Sequence, residues 1–365
     1  MTNPMRILIF TENYYIGGTD SVIVNLMNNW PAPDEFLVVC NYDHPGLKVI
    51  EERAKVPCTI FPHHALTREQ LEKRAGKSRV ARLGIRAALV VGQYVLLLYH
   101  FFYFLHFFSK LNPGKIIIVG GGYPSGSTAR AVALQGFFRR RVQKPLFAYL
   151  NDPAHIRKVY MIPEYIIDIL VERSVSHLVT LSQATQNNLS RRPALAHSFK
   201  KRVIYNSIEI PLDAKRETHP FREELGIDVG APLLLLLANY EPRKGHGFLF
   251  KAFRIVLEKF PDAQLVCVGF SYPTDRDRVE ALVRKYEFSR SVRLLGFRND
   301  VDAMLQDATL LVLSSQCAEG LPTVVIEAMA RSVPVVATDI GGTSEVFVDG
   351  RGGFALPLDV QLFAQ

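Results

Sequence analysis

The chain has 365 residues, which at roughly 100–200 residues per domain predicts two domains. Hydrophobic residues make up 48% and charged residues 21%, and the 24 glycines and 21 prolines are an ordinary share, so collagen-like, low-complexity and wholly disordered readings are excluded. Lys and Arg exceed Asp and Glu by 43 to 35, a net charge of +8 that points to an anionic partner: a phosphorylated ligand, a membrane surface or nucleic acid.

The apolar run at the start, MTNPMRILIF, is too short for a signal peptide and reads as a first buried strand. The four cysteines, Cys40, Cys58, Cys267 and Cys317, have spacings that fit neither a zinc ribbon nor a disulfide framework, which suits a reducing compartment. Short runs rich in Val, Ile and Leu alternate with longer helix-like stretches. Strands are expected over 6–10, 36–40, 58–61, 115–119, 146–150, 178–181 and 203–204. A second series is expected over 233–238, 264–268, 292–295, 310–313 and 333–337. Little alternation within these runs indicates parallel strands covered on both faces. The rhythm breaks near 208–230, where Pro211, Pro220 and many charges read as a linker. The expected layout is a Rossmann-like domain over 1–207, the linker over 208–230, and a second Rossmann-like domain over 231–365. A ligand is expected in a central cleft at the carboxyl ends of the strands.

Residues 87–108 hold no Asp, Glu, Lys or Arg, a length able to span a bilayer. Arg68, Lys73, Arg74, Lys77, Arg79, Arg82 and Arg86 precede the run against Glu69 and Glu72, and Lys110 follows it. Three readings stay open: a buried helix of the first domain, an interfacial helix on anionic lipid, and a transmembrane span, to which Gln93, His100 and His106 are unsuited.

Four segments carry chemistry. NYYIGGTD after the first strand places Gly17-Gly18 at a tight turn. A second run, Gly120-Gly121-Gly122, follows the 115–119 strand and is either a turn or part of the cleft lining. ANYEPRKG sets Arg243 and Lys244 at a strand-to-helix turn. In SSQCAEGLPTVVIEAMARSVP, a helix starting at about Leu321 or Pro322 would put the amides of Gly320, Leu321 and Thr323 at its positive end, an anion site suited to a diphosphate, with Glu327 further along. Asp275-Arg276-Asp277 has the look of a DxD metal motif, but it precedes a helix, where acidic residues are common, and no metal is expected there.

The spacing Glu319-GLPTVVI-Glu327 resembles the signature of the family-4 retaining glycosyltransferases. The later Gly341-Gly342-Thr343-Ser344-Glu345 matches that family's GGxxE, and Gly296-Phe297-Arg298-Asn299-Asp300-Val301 resembles its nucleotide-base loop. The resemblance covers most of residues 5–357. It implies an α/β protein of GT-B fold, two Rossmann-like domains facing a central cleft. Glu319 would meet donor-sugar hydroxyls, Glu327 the ribose, Phe297 and Arg298 the nucleotide, and Gly17 and Gly18 the donor phosphates. Arg243 and Lys244 would bind the diphosphate. Many members carry the arginine five residues before the lysine, where this chain has Asn239; the adjacent Arg-Lys-Gly resembles the lipopolysaccharide-core glucosyltransferase subgroup. A histidine near the donor sugar is usual, and here Asn151, Asp152 and His155 compete for its place. Ser182 and Asn206 lie in stretches resembling the family's hinge region.

The resemblance implies hexose transfer from a nucleotide sugar to a glycan or glycolipid acceptor with retention, without a metal or other cofactor. It also implies peripheral attachment to the inner face of a membrane through residues 68–110. The clusters Arg139, Arg140, Arg141 with Lys144, and Lys200, Lys201, Arg202, match no nucleic-acid module, so no nucleic-acid partner is expected. The family normally continues past the position of Leu358, so the chain is expected to lack its last helices. The competing expectation is a truncated, membrane-associated, non-catalytic component of glycan assembly. A GT-B phosphorylase, which would use free phosphate, is disfavoured, since such enzymes are usually far longer and no pyridoxal-lysine motif is seen.

Overall fold

The structure, a computed structural model, describes residues 4–67, 79–120, 127–138, 146–149, 162–208, 218–317, 319–347 and 350–365. The chain forms two compact units. The first comprises Met1–Tyr14, Ile23–Leu181 and Thr185–Ile204; the second comprises Tyr15–Val22, Ser182–Ala184 and Tyr205–Gln365.

In chain order, β1 (Arg6–Phe10), α1 (Gly18–Asn28), β2 (Glu35–Asn41), α2 (Leu47–Arg53), β3 (Cys58–His63), α3 (Arg79–Leu111) and β4 (Lys115–Val119) are followed by α4 (Ser127–Phe138), β5 (Leu146–Tyr149), α5 (Ile162–Ser174), β6 (His177–Thr180), α6 (Gln183–Ser190) and β7 (Lys201–Val203); the first turns of α1 and α6 belong to the second unit and the rest to the first. The seven strands are all parallel, in the order β3-β2-β1-β4-β5-β6-β7. Strands such as RILIF and KIIIV are buried along nearly their whole length, as a parallel sheet covered on both faces requires. Phe10, Phe104 and Phe108 pack with Leu8, Ile116 and Val132 in the core.

The second unit contains α7 (Pro220–Leu225), β8 (Leu233–Leu237), α8 (His246–Lys259), β9 (Gln264–Val268), α9 (Pro273–Lys285), β10 (Val292–Leu295) and α10 (Val301–Asp307). These are followed by β11 (Leu310–Leu313), α11 (Thr323–Ala330), β12 (Val335–Thr338), β13 (Gly353–Leu356) and α12 (Val360–Ala364). Its six parallel strands run β10-β9-β8-β11-β12-β13. The order reverses between β8 and β11, which makes their carboxyl ends the place where a doubly wound sheet opens a crevice.

The region read as linker is not all linker. Pro220 sits in the first turn of α7, where its missing N–H is harmless. The Asp307 carboxylate accepts from the amides of Phe221 and Arg222 at 2.9 and 3.0 Å, and Phe221 and Arg222 are buried. The helix is held by a residue far along the chain, so local composition hid it.

Residues 87–108 lie within the 33-residue helix α3. Leu97, His100, Phe104 and Phe108 are buried on one face, as the buried-helix reading expects, yet Val95, Leu98, Tyr99 and Phe102 on another face are exposed.

Candidate donor site at the strand ends of the second unit

After β8 the chain passes Asn239 and Tyr240 and makes a 3-10 turn, Pro242–Lys244, before entering α8. Gly245 joins the two in the left-handed region at φ +71°. A Cβ there would stand 1.9 Å from the Ser314 carbonyl oxygen, so only glycine allows the turn to press against the end of β11. Two bonds fasten it: the Gln316 amide donates to the Arg243 carbonyl at 2.8 Å, and Ser314 Oγ donates to the Lys244 carbonyl at 2.9 Å.

This clamp delivers both cations to one carboxylate. Lys244 Nζ donates to Glu319, Ser315 Oγ donates to the same oxygen at 2.5 Å, and Arg243 Nη1 stands 3.5 Å away. Arg243 also forms a two-pronged pair with Glu241, at 2.8 and 3.0 Å. Glu319 is 6% exposed. Burial pushes its pKa up, but Lys244 and then Arg243 push further the other way, so the carboxyl is held below its ordinary range. Arg243 is pulled down by burial and up by Glu241 and Glu319, with a net rise.

Gly341 fixes the other side. It has φ +63°, and a Cβ there would lie 1.8 Å from the Glu319 carbonyl oxygen. The neighbouring Gly342 amide donates to the Gly320 carbonyl at 3.0 Å. The GGxxE glutamate, Glu345, accepts from the amides of Gln183 and Ala184, each at 2.7 Å, and from the Tyr205 hydroxyl at 3.1 Å. It therefore serves as an anchor for those backbone groups.

The helix expected from Leu321 or Pro322 begins at Thr323, with Pro322 as its extended N-cap. Thr323 is thus at the helix start, while Gly320 and Leu321 precede it. The Leu321 carbonyl accepts from Asn206 Nδ2 at 3.1 Å. Gly17 and Gly18 reach the same region: a Cβ on Gly18 would meet Thr323 Oγ1 at 3.4 Å, and one on Gly17 would meet Asn239 Nδ2 at 3.6 Å. Asn239, which sequence reading noticed only as a missing arginine, joins two turns. Its Nδ2 donates to the Ile16 carbonyl at 2.8 Å, and its Oδ1 accepts from the Phe270 amide at 3.2 Å.

The structure therefore gathers Gly17, Gly18, Arg243, Lys244, Glu319 and Thr323. Glu327 lies half-buried on α11, one helical turn past Thr323. Arg298 is held by Glu224 at 2.8 Å and by Asp300 at 2.8 and 2.6 Å, stacked over Phe221, beside a partly exposed Phe297. Asn151, Asp152, His155, Gly121 and Gly122 lie outside the described residues. Asp275 is in the first turn of α9, where it accepts from the Tyr15 hydroxyl at 3.2 Å. Ser315, Glu241 and Asn239 were not foreseen, because their partners are fixed by the fold and not by spacing. In the first unit, Glu12 follows β1, accepts from Thr128 and from the Tyr14 hydroxyl, and lines a small crevice with Gly120.

Two doubly wound parallel sheets with a charged crevice at a strand-order reversal define an α/β protein of the GT-B fold. The chain superimposes on the crystal structure of Anabaena HepE in complex with UDP and glucose, with a TM-score of 0.73 and 20% identity, over 99% of this chain and 88% of that one. Residues 217–363 match the family model described as glycosyl transferases group 1. The chain is 28% identical over 141 residues to an uncharacterized glycosyltransferase of Methanocaldococcus jannaschii, covering 38% of this chain and 34% of that protein. It is 24% identical over 196 residues to spore coat protein SA of Bacillus subtilis, covering 50% and 52%. These alignments span about a third to a half of the relatives' length.

Proposed function

We propose that the protein is a glycosyltransferase that moves a hexose from a nucleotide sugar to a glycan or glycolipid acceptor in polysaccharide or lipopolysaccharide-type biosynthesis. The observation that carries this reading is the convergence of Lys244 and Arg243 on Glu319 at the β8/β11 reversal, beside the start of α11. A leaving nucleoside diphosphate gains charge as the glycosidic bond breaks. Cations already in place stabilise that charge without reorganising. Before the donor arrives Glu319 and Glu241 neutralise them. When the diphosphate takes over Lys244, the Glu319 oxygens become free to accept from sugar hydroxyls.

In this reading the reaction proceeds on one face of the sugar with retention, and the departing phosphate takes the acceptor proton. The countercharge comes from side chains and helix-start amides, so no divalent ion is called for. Glu327 would accept from the ribose, Phe297 and Arg298 would flank the base, and Asn151, Asp152 or His155 would stand near the sugar. The matched HepE structure holds UDP and glucose, which supports a uridine nucleotide as the first donor to try. Residence at the cytoplasmic face of a membrane belongs to the same reading.

The test is release of nucleoside diphosphate from UDP-, GDP- and ADP-hexoses, with and without chelator. One donor should be turned over, slowly to water and faster with an added glycan acceptor. No release from any donor would overturn the proposal in favour of a non-catalytic component.

A further inference from the structure

Two parts of the candidate site hang from strands that do not touch. The chain leaving β8 carries Arg243 and Lys244, and the chain leaving β10 carries Phe297 and Arg298, with β9 between the two strands. A nucleotide gripped by both turns needs their separation fixed, because a displaced contact loses much of its value.

Tyr240 spans the gap. It is fully buried and lies between the end of β8 and the Pro242–Lys244 turn. Its hydroxyl stands 2.8 Å from the Cys267 carbonyl on β9 and 2.8 Å from the Leu295 carbonyl on β10, with one hydrogen to donate between them. Leu295 is the last residue before Gly296, where the 296–300 loop opens. Neighbouring strands lie about 4.8 Å apart, so a bond from the end of β8 to β10 crosses two such spacings, which needs a long side chain with a donor at its tip. The main chain of Tyr240 is tied as well. Its amide donates to the Phe270 carbonyl at 3.0 Å, and its carbonyl accepts from Arg278 on α9.

The start of α9 reinforces the link. Arg276 Nη2 donates to the Leu294 carbonyl at 2.9 Å, and its guanidinium carbon lies 5.5 Å from the centre of the Tyr240 ring, a cation over an aromatic face. His246, at the start of α8, stacks on the same ring at 5.0 Å. Asp275 accepts from the Tyr15 hydroxyl, two residues before Gly17. The segment Asp275-Arg276-Asp277-Arg278 thus touches the Gly17 turn, the turn after β8 and the end of β10. Tyr240 is where the last two meet.

A phenylalanine would fill nearly the same volume, so packing alone asks for no hydroxyl here. We propose that Tyr240 is a positioning residue for the nucleotide, its hydroxyl setting the distance between the diphosphate turn at Arg243 and Lys244 and the base loop at 296–300. The identity of the ligand rests on the transferase reading. Each turn keeps its own side chains when the hydroxyl is lost. What falls is the ability to hold both ends of one ligand at once, the gain that comes from linking two contacts in one molecule.

The experiment is calorimetric titration of wild type and Tyr240→Phe with UDP, GDP and ADP, and with inorganic pyrophosphate, which has no base to engage the 296–300 loop. The nucleotide that binds wild type should bind Tyr240→Phe roughly fivefold or more weakly, while pyrophosphate affinity changes by less than about twofold. In turnover the same variant should raise donor KM with kcat little changed. Arg276→Lys keeps the charge but gives up the planar fork that reaches Leu294, so it should shift the nucleotide-to-pyrophosphate ratio the same way, and it serves if Tyr240→Phe does not fold. Wild type that binds no nucleotide would overturn the proposal together with the transferase reading. Wild type that binds a nucleotide, with the variants weakening nucleotide and pyrophosphate alike or weakening neither, would overturn the proposal alone.

Discussion

Lys244 donates to the carboxylate of Glu319, 75 residues further along the chain, and the pair closes the space between the ends of β8 and β11. Neither residue is more than 13% exposed at its side chain. Removing one partner strands the other with much of its charge out of water, which typically costs about 3–5 kcal/mol. Lys244→Ala is therefore expected to lower the melting temperature and, in the proposed reaction, to lower turnover by roughly 100-fold or more, with a smaller effect on nucleotide affinity. Steady-state rates and calorimetry on one preparation separate the effects. A variant that turns over like wild type would remove Lys244 from the chemistry.

Glycines in the left-handed region, one at the end of α7 and two in the site, separate strain from collision. Gly226 and Gly341 have nearly equal φ, +61° and +63°, but a Cβ on Gly226 meets nothing within 4 Å whereas one on Gly341 meets the Glu319 carbonyl at 1.8 Å. Gly226→Ala should cost about 1 kcal/mol, the price of a left-handed alanine. Gly341→Ala and Gly245→Ala must also move backbone, and should lose several times as much stability and donor turnover with it. Urea titration compares the three. Equal losses would show that the collisions are relieved cheaply.

Two buried histidines set the response to acid. Burial lowers the pKa of His246 to about 3, helped by the charges of Arg278 and Lys244. Burial likewise lowers that of His63 to about 3, with His100 and His64 adding to it. The ordinary value is 6.5, so between about pH 6.5 and 3 the unfolded chain binds protons that the folded one refuses. Stability conferred by the neutral rings is fully present above 6.5 and falls as the pH drops through that window. His246 stacks on Tyr240 at 5.0 Å, a contact His246→Phe can keep. Urea midpoints at pH 7 and pH 5 should differ less for His246→Phe and for His63→Phe than for wild type. An unchanged difference in both variants would mean that the rings do not control the acid limb.

Asn239 offers a test of position without charge. Its bonds to the Ile16 carbonyl and the Phe270 amide hold the Gly17 turn and the turn after β9. Asn239→Asp can keep the Phe270 bond but has no N–H for Ile16. The expected result is a several-fold rise in donor KM with kcat less affected, and a larger rise for Asn239→Ala. Identical kinetics in all three proteins would show that the Gly17 turn is set by other contacts.

Much of the fold is legible because a parallel sheet writes itself as buried apolar runs. The strands Arg6–Phe10, Lys115–Val119, Gln264–Val268, Val292–Leu295 and Leu310–Leu313 lie where those runs lie. The strand Gly353–Leu356 was missed, because a short edge strand opening on glycine gives no run. Its Gly353 is required by contact, since a Cβ would lie 2.0 Å from the Val335 carbonyl. The convergence at the candidate site was legible where motif and local structure coincide, as at Arg243, Lys244 and Glu319, which the fold brings together. It was not legible where a distant side chain decides, as with Asp307 capping α7, Asn239 bridging two turns and Ser315 sharing Glu319. The uncovered face of α3 needed the fold as well: sequence showed the apolar run, and only the packing shows which side of it is left exposed.

The most direct test of the central claim is calorimetric titration of chelator-treated protein with UDP, GDP and ADP, on wild type and Glu327→Ala. One nucleoside diphosphate should bind wild type without a divalent ion, and bind the variant at least roughly tenfold more weakly through loss of a charge-assisted ribose contact. Failure of all three to bind wild type, or equal binding by wild type and variant, would contradict the assignment of a nucleotide site to the end of the second sheet.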